Sequence, residues 1–156
     1  MNRKNTLVVL VGVPGSGKST FAKMLKDGGM VHVSTDEIRE EILGSASNQT
    51  QGDKVFAIAY KRMQDAGKEK KDCVFDATSR TVKDRKVLID KAKGYFDFVI
   101  CYYANTDLQT CLKRNQERER QVPQEVIEKM WRQLQKPTLS EGFDYVSSFG
   151  NAETLA

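Results

Sequence analysis

Between positions 12 and 19 the chain reads Gly-Val-Pro-Gly-Ser-Gly-Lys-Ser, which fits G-x-x-x-x-G-K-[ST]. The spacing carries a mechanism. Gly12, Gly15 and Gly17 let the backbone turn tightly, so that successive amides point inward at an anion. A helix opening near Lys18 adds the positive end of its dipole. The Lys18 ammonium suits the β- and γ-phosphates of a triphosphate, and the Ser19 hydroxyl suits Mg²⁺. Gly12, Pro14, Gly15, Ser16, Gly17, Lys18, Ser19 and Thr20 are therefore the expected phosphate cradle.

A triphosphate site leaves open what happens to the γ-phosphate. A GTPase switch should carry an Asn/Thr-Lys-x-Asp element for guanine, and the sequence has none. A large ring-forming ATPase needs more chain than 156 residues. A small phosphotransferase needs a base for the acceptor hydroxyl, a clamp for the acceptor and cations over the transferring phosphoryl group.

The stretch "STDEIRE" (34–40) offers the first two. Asp36 is placed to accept a hydroxyl proton and align the oxygen for in-line attack. Arg39 follows at a spacing that shares a helix face, and its guanidinium suits an acceptor phosphate. A plain helix start would also account for these letters. Ser34 and Glu37 form a capping box, however, so Ser34 can cap and leave Asp36 free.

The cations lie in "KRNQERERQVP" (113–123). Arg114 and Arg118 are four apart and are expected on one helix face, with Arg120 where the helix breaks. Such a strip between two helices can fold over bound nucleotide and neutralise the transferring oxygens. A solvated helix laced by Glu117 and Glu119 is the competing account. Asp76 closes an apolar run, "CVFD", where an acid commonly sits near Mg²⁺, often through water. A turn former would look the same. Thr78 and Ser79 are candidate caps. His32, the only histidine, is expected in the core or at its rim. Trp131, at helical spacing with Met130 and Leu134, is expected in core packing.

Alternating elements must position these groups. Apolar runs at 6–12, 31–35, 73–79, 96–105 and 143–149 read as strands. Helical patterns cover 18–28, 36–43, 54–71, 81–95, 107–120 and 123–136, with a polar loop at 44–53. The alternation predicts an α/β fold: a parallel sheet of about five strands with helices on both faces. The expected organisation is one domain over 1–156, with a helical lid at about 107–136.

Composition narrows the classes further. A hydrophobic fraction of 39% with 29% charged residues is globular rather than disordered. The run "TLVVLVGV" is too short to span a membrane. It leads into a glycine-rich loop without a small-residue cleavage site, so no signal peptide is expected. Cys73, Cys101 and Cys111 match no metal spacing and read as reduced thiols of a cytoplasmic protein. The sequon at Asn48 carries no meaning in that setting. A net charge of +4 permits a phosphate-rich partner without demanding one.

Taken in order, "GVPGSGKST", "STDEIRE", "FDATSRTVKDRK", "LKRNQERERQVPQEVIEKM" and "EGFDYV" resemble the 5′-hydroxyl polynucleotide kinase domain of phage and bacterial nucleic-acid end-healing enzymes. The blocks run from about Leu7 to Val146. The resemblance implies ATP and Mg²⁺ as ligands and a 5′-OH RNA or DNA end as acceptor. It implies Lys18 and Ser19 as the phosphate and Mg²⁺ residues, and Asp36 as general base. Arg39 falls on the arginine at the acceptor phosphate, and Arg114 and Arg118 on the lid arginines at the donor phosphates. Asp76 and Thr78 fall in the family's Asp-x-Thr-Asn element, with Ser79 in place of its asparagine. The phosphatase motif and ligase module often fused to such kinases have no counterpart here. Kinases of small hydroxyl compounds, and a nucleotide-binding regulator without transfer, share the same phosphate loop.

Overall fold

A computed structural model describes residues 3–46 and 50–150. Its sheet has five parallel strands in the order β2-β3-β1-β4-β5. The strands are β1 (Thr6–Val11), β2 (Val31–Ser34), β3 (Cys73–Asp76), β4 (Phe98–Ala104) and β5 (Tyr145–Phe149). The helices are α1 (Lys18–Asp27), α2 (Thr35–Leu43), α3 (Gly52–Lys68), α4 (Val82–Ala92), α5 (Leu108–Gln116) and α6 (Gln124–Gln133). A short 3₁₀ turn at Leu139–Glu141 precedes β5.

β1 is central because its side chains have apolar partners on both faces. Successive residues point to opposite sides of a strand. Leu7, Val9 and Val11 join Val33, Ile38, Val55, Met63, Phe75 and Leu88 in one buried cluster. Val8 and Leu10 join Ala22 and Val74 in another, with Phe21 and Leu25 of α1 packed against it. A third cluster joins Val13, inside the phosphate loop, to Cys111 and Leu112 of α5 and Ile127 of α6. The α5–α6 pair is thus anchored on the loop itself.

The element boundaries differ from expectation at several ends. α3 begins at Gly52, inside the stretch expected as polar loop, with Asp53 in its first turn where the helix dipole favours an acid. Asn48 and its sequon lie outside the described residues. α4 stops at Ala92, and Gly94 at φ 83° turns the chain toward β4. α5 stops at Gln116 instead of running to 120.

No helix among the described residues is long and apolar enough to cross a membrane. The three thiols are free and buried. Burial pushes Cys73 and Cys101 up to about 12 and Cys111 to about 11.

Candidate active site at the carboxyl edge of the sheet

The phosphate loop leaves the end of β1 and enters α1 at Lys18. Gly15 and Gly17 adopt φ of 82° and 98°, a region that side-chain-bearing residues avoid. The loop is tied to its neighbours. The Gly12 amide donates to the Thr78 carbonyl at 3.2 Å, which links it to the exit of β3. The Thr106 hydroxyl donates to the Ser16 carbonyl at 2.6 Å, which links it to the end of β4. The Ser16 hydroxyl itself is buried without a hydrogen-bond partner.

Parallel pairing sets Asp76 beside Leu10 of β1 and Ser34 of β2. There it meets Lys18 from the loop and His32 from β2. Lys18 Nζ pairs with Asp76 Oδ1, and His32 Nε2 lies 2.9 Å from Asp76 Oδ2. Burial opposes ionisation of this carboxyl. The Lys18 charge and the hydrogen bonds from His32 and Lys18 outweigh it and hold Asp76 at about 2. An ionised carboxylate only accepts, so Nε2 of His32 is the donor. The other ring nitrogen, Nδ1, is 3.8 Å from Glu37 Oε1.

Asp36 opens α2 without capping it. The Ser34 hydroxyl accepts the Glu37 amide at 3.2 Å, and the Asp36 side chain remains 53% exposed. Arg39 Nη1 donates to Asp36 Oδ1 at 3.1 Å, while Arg120 Nη2 lies 3.6 Å from Oδ2. Arg39 is 9% exposed, and its Nε–H is buried without a partner. A buried guanidinium with unspent donors is costly unless an anion completes it.

These groups border one cleft of about 1240 Å³. Pro14, Gly15, Gly17, Lys18, Ser19 and Thr20 line its loop side; Asp36, Arg39 and Thr78 line the facing side. Arg114 and Arg120 close it from the α5–α6 segment. Arg114 Nη1 reaches the Gly15 carbonyl at 3.4 Å. Gly12 and Ser16 lie behind the lining as supports, and Asp76 lies beneath Lys18.

Arg118 departs from expectation. It does not share a helix face with Arg114, because α5 has already ended, and it is not among the residues lining the cleft. The amides of Glu117 and Arg118 close back on the carbonyls of Arg114 and Asn115, each at 3.2 Å. The buried Asn115 side chain then grips both backbone groups of Val122, at 2.7 and 3.0 Å. A helix cannot continue through that reversal, and it brings Arg120 to the cleft in place of Arg118.

Three residues make contacts that no local pattern announces. His32 takes the rim position expected of it, and its bond to Asp76 is visible only once β2 and β3 pair. Arg85 is fully buried, held by Glu141 (2.7 and 3.2 Å), the Ser79 carbonyl (2.7 Å) and the Gln135 carbonyl (2.8 Å). It fixes the Ser79–Arg80 turn on the cleft wall. Trp131 is not core: it is 40% exposed and donates from Nε1 to the Thr106 carbonyl at 3.1 Å.

The chain is 28% identical over 145 residues to a bifunctional polynucleotide phosphatase/kinase of Schizosaccharomyces pombe, a match covering 90% of this chain and 32% of that protein. It is 27% identical over 144 residues to an L-seryl-tRNA(Sec) kinase of Methanococcus maripaludis, covering 88% and 56%. It therefore spans between about a third and just over half of these relatives. Among solved structures, the Pnkp1/Rnl/Hen1 RNA repair complex contains a chain that superposes with a TM-score of 0.75 at 22% identity, covering 86% of this chain and 45% of that one. Residues 7–137 match the family described as AAA domain, AAA_33. The chain belongs to that family, as a P-loop kinase domain of the AAA_33 type.

Proposed function

We propose that the protein is an ATP-dependent kinase that transfers the γ-phosphate to the 5′-hydroxyl of an RNA or DNA end. In this reading the acceptor hydroxyl lies between Asp36 and the γ-phosphate held by the loop. Asp36 accepts its proton as the new O–P bond forms and the bond to the leaving β-phosphate oxygen breaks, releasing ADP. Lys18 and Arg114 balance charge on the donor, Arg118 joins them when the 107–136 segment closes as a lid, and Arg39 holds the acceptor's phosphate.

Ser19 and Asp76 are the residues that would hold Mg²⁺. The fit rests on Ser19, exposed and lining the cleft, and on the buried Asp76 carboxylate, held ionised against Lys18, the residue that precedes Ser19. Bound there, Mg²⁺ would supply charge neutralisation on the phosphate oxygens.

The observation that carries the reading is the position of Asp36: half-exposed, relieved of capping by Ser34, and on the same cleft as Lys18. Similarity to the polynucleotide phosphatase/kinase supports the choice of acceptor. Asp53 and Asp84 on the cleft wall favour a second reading, in which a small polyhydroxylated compound is the acceptor. Labelled γ-phosphate transfer across 5′-OH oligonucleotides, nucleosides, sugars and aminocyclitols separates the two. The proposal expects oligonucleotides to be phosphorylated with the highest kcat/KM; transfer confined to sugars or aminocyclitols would overturn it.

A further inference from the structure

Asp36 carries a guanidinium on each oxygen, and the two come from different elements. Arg39 belongs to α2 and is nine-tenths buried; Arg120 belongs to the turn between α5 and α6, with a side chain 41% exposed. Two positive charges face one negative charge here. The Lys18 charge is met separately by Asp76, so it leaves this imbalance untouched. The Arg39 Nε–H is buried without a partner. The two guanidiniums thus carry more donors and charge than Asp36 uses, and Arg120, the exposed one, is free to turn to a further anion.

We infer that Arg120 determines acceptor specificity: it leaves Asp36 for an anionic group next to the reacting hydroxyl, so that an acceptor bearing that anion gains a contact that a neutral acceptor lacks. This rests on the kinase reading above. The two contacts on Asp36 are unequal. Arg39 is fixed by its burial and its place one turn along the same helix. Arg120 stands at 3.6 Å on an exposed side chain, a pair that contributes little and is released easily. A phosphate presents several oxygens to a planar fork and is the stronger partner. A neutral acceptor offers no such exchange and binds without that contact.

The test is labelled phosphate transfer from ATP to a nucleoside 3′-phosphate and to the matching nucleoside, with Arg120→Ala and Arg120→Lys beside the parent protein. The parent should prefer the phosphorylated acceptor. Arg120→Ala should raise the KM of that acceptor about tenfold, the scale of a lost charge-assisted hydrogen bond. It should leave the KM for ATP unchanged and the nucleoside no worse, so selectivity collapses. Lysine keeps the charge without the fork and should fall between. Equal losses on both acceptors, or a raised KM for ATP, would overturn the role of Arg120 alone. A parent protein that phosphorylates sugars but neither of these acceptors would overturn the polynucleotide reading and this inference with it.

Discussion

The ammonium of Lys18 is paired with the carboxylate of Asp76, across the gap between the phosphate loop and the end of β3. The pair places the principal loop cation on the floor of the cleft and fixes the charge state of its partner. Asp76 is held at about 2 in the folded protein against an ordinary 3.8.

That depression has a definite consequence for acid stability. A carboxyl with a lowered folded value stabilises the fold above its unfolded value, and the contribution disappears as pH falls through the folded one. Above the unfolded value Asp76 contributes about 2 kcal/mol, so the contribution is fully present at neutral pH. Asp76→Asn should therefore unfold at lower denaturant at pH 7, and the gap to the parent should close between about pH 4 and pH 2. Denaturant titrations across that range check it; a gap independent of pH would place the effect elsewhere.

The buried Arg85–Glu141 pair makes a separable prediction about folding. Arg85 is fully buried with five N–H donors largely spent on Glu141, Ser79 and Gln135. Glu141→Gln should destabilise the protein, on the order of 3–5 kcal/mol for a buried charge left unpaired. Replacing both residues by apolar ones of similar volume should recover part of that loss. Chemical denaturation of the single and double variants measures it.

Arg114 and Arg118 should separate kinetically. Arg114 already contacts the Gly15 carbonyl and lines the cleft, so Arg114→Ala should weaken ATP binding. Arg118 lies outside the cleft lining, so Arg118→Ala should lower kcat with ATP affinity largely kept, as expected for a contact made only on closure. Equilibrium ATP binding together with steady-state rates distinguishes the two patterns.

The thiols offer a simple check on packing. With burial holding Cys73, Cys101 and Cys111 at about 11 to 12, native protein should resist a thiol-specific reagent at pH 8, and all three should react after denaturation.

Local patterns made much of this site legible. The phosphate loop, the cap at Ser34 that frees Asp36, and the alternation that yields a parallel sheet are all encoded within short windows. Contacts between distant segments were not. His32 looked like one more residue of a short strand, because only the pairing of β2 with β3 sets it against Asp76. Helical spacing favours Arg118 over Arg120 only if α5 continues past Gln116. Asn115 ends it by bonding Val122, seven residues on, and no periodicity announces such a contact. Arg85 was one charge among many in "TVKDRK" until Glu141 and the Gln135 carbonyl closed around it. Trp131 had core spacing, yet it uses its indole N–H on Thr106 and keeps its ring partly in solvent.

The proposed reaction depends on Asp36 as the base acting on an acceptor hydroxyl at the γ-phosphate. Its most direct test is transfer of labelled γ-phosphate to a 5′-OH oligonucleotide by Asp36→Asn, with ATP affinity measured on the same preparation. The rate should be at least ~10² lower with ATP binding unchanged, the loss expected when a general base is removed. Transfer at the parental rate, or a parallel loss of ATP binding, would contradict it.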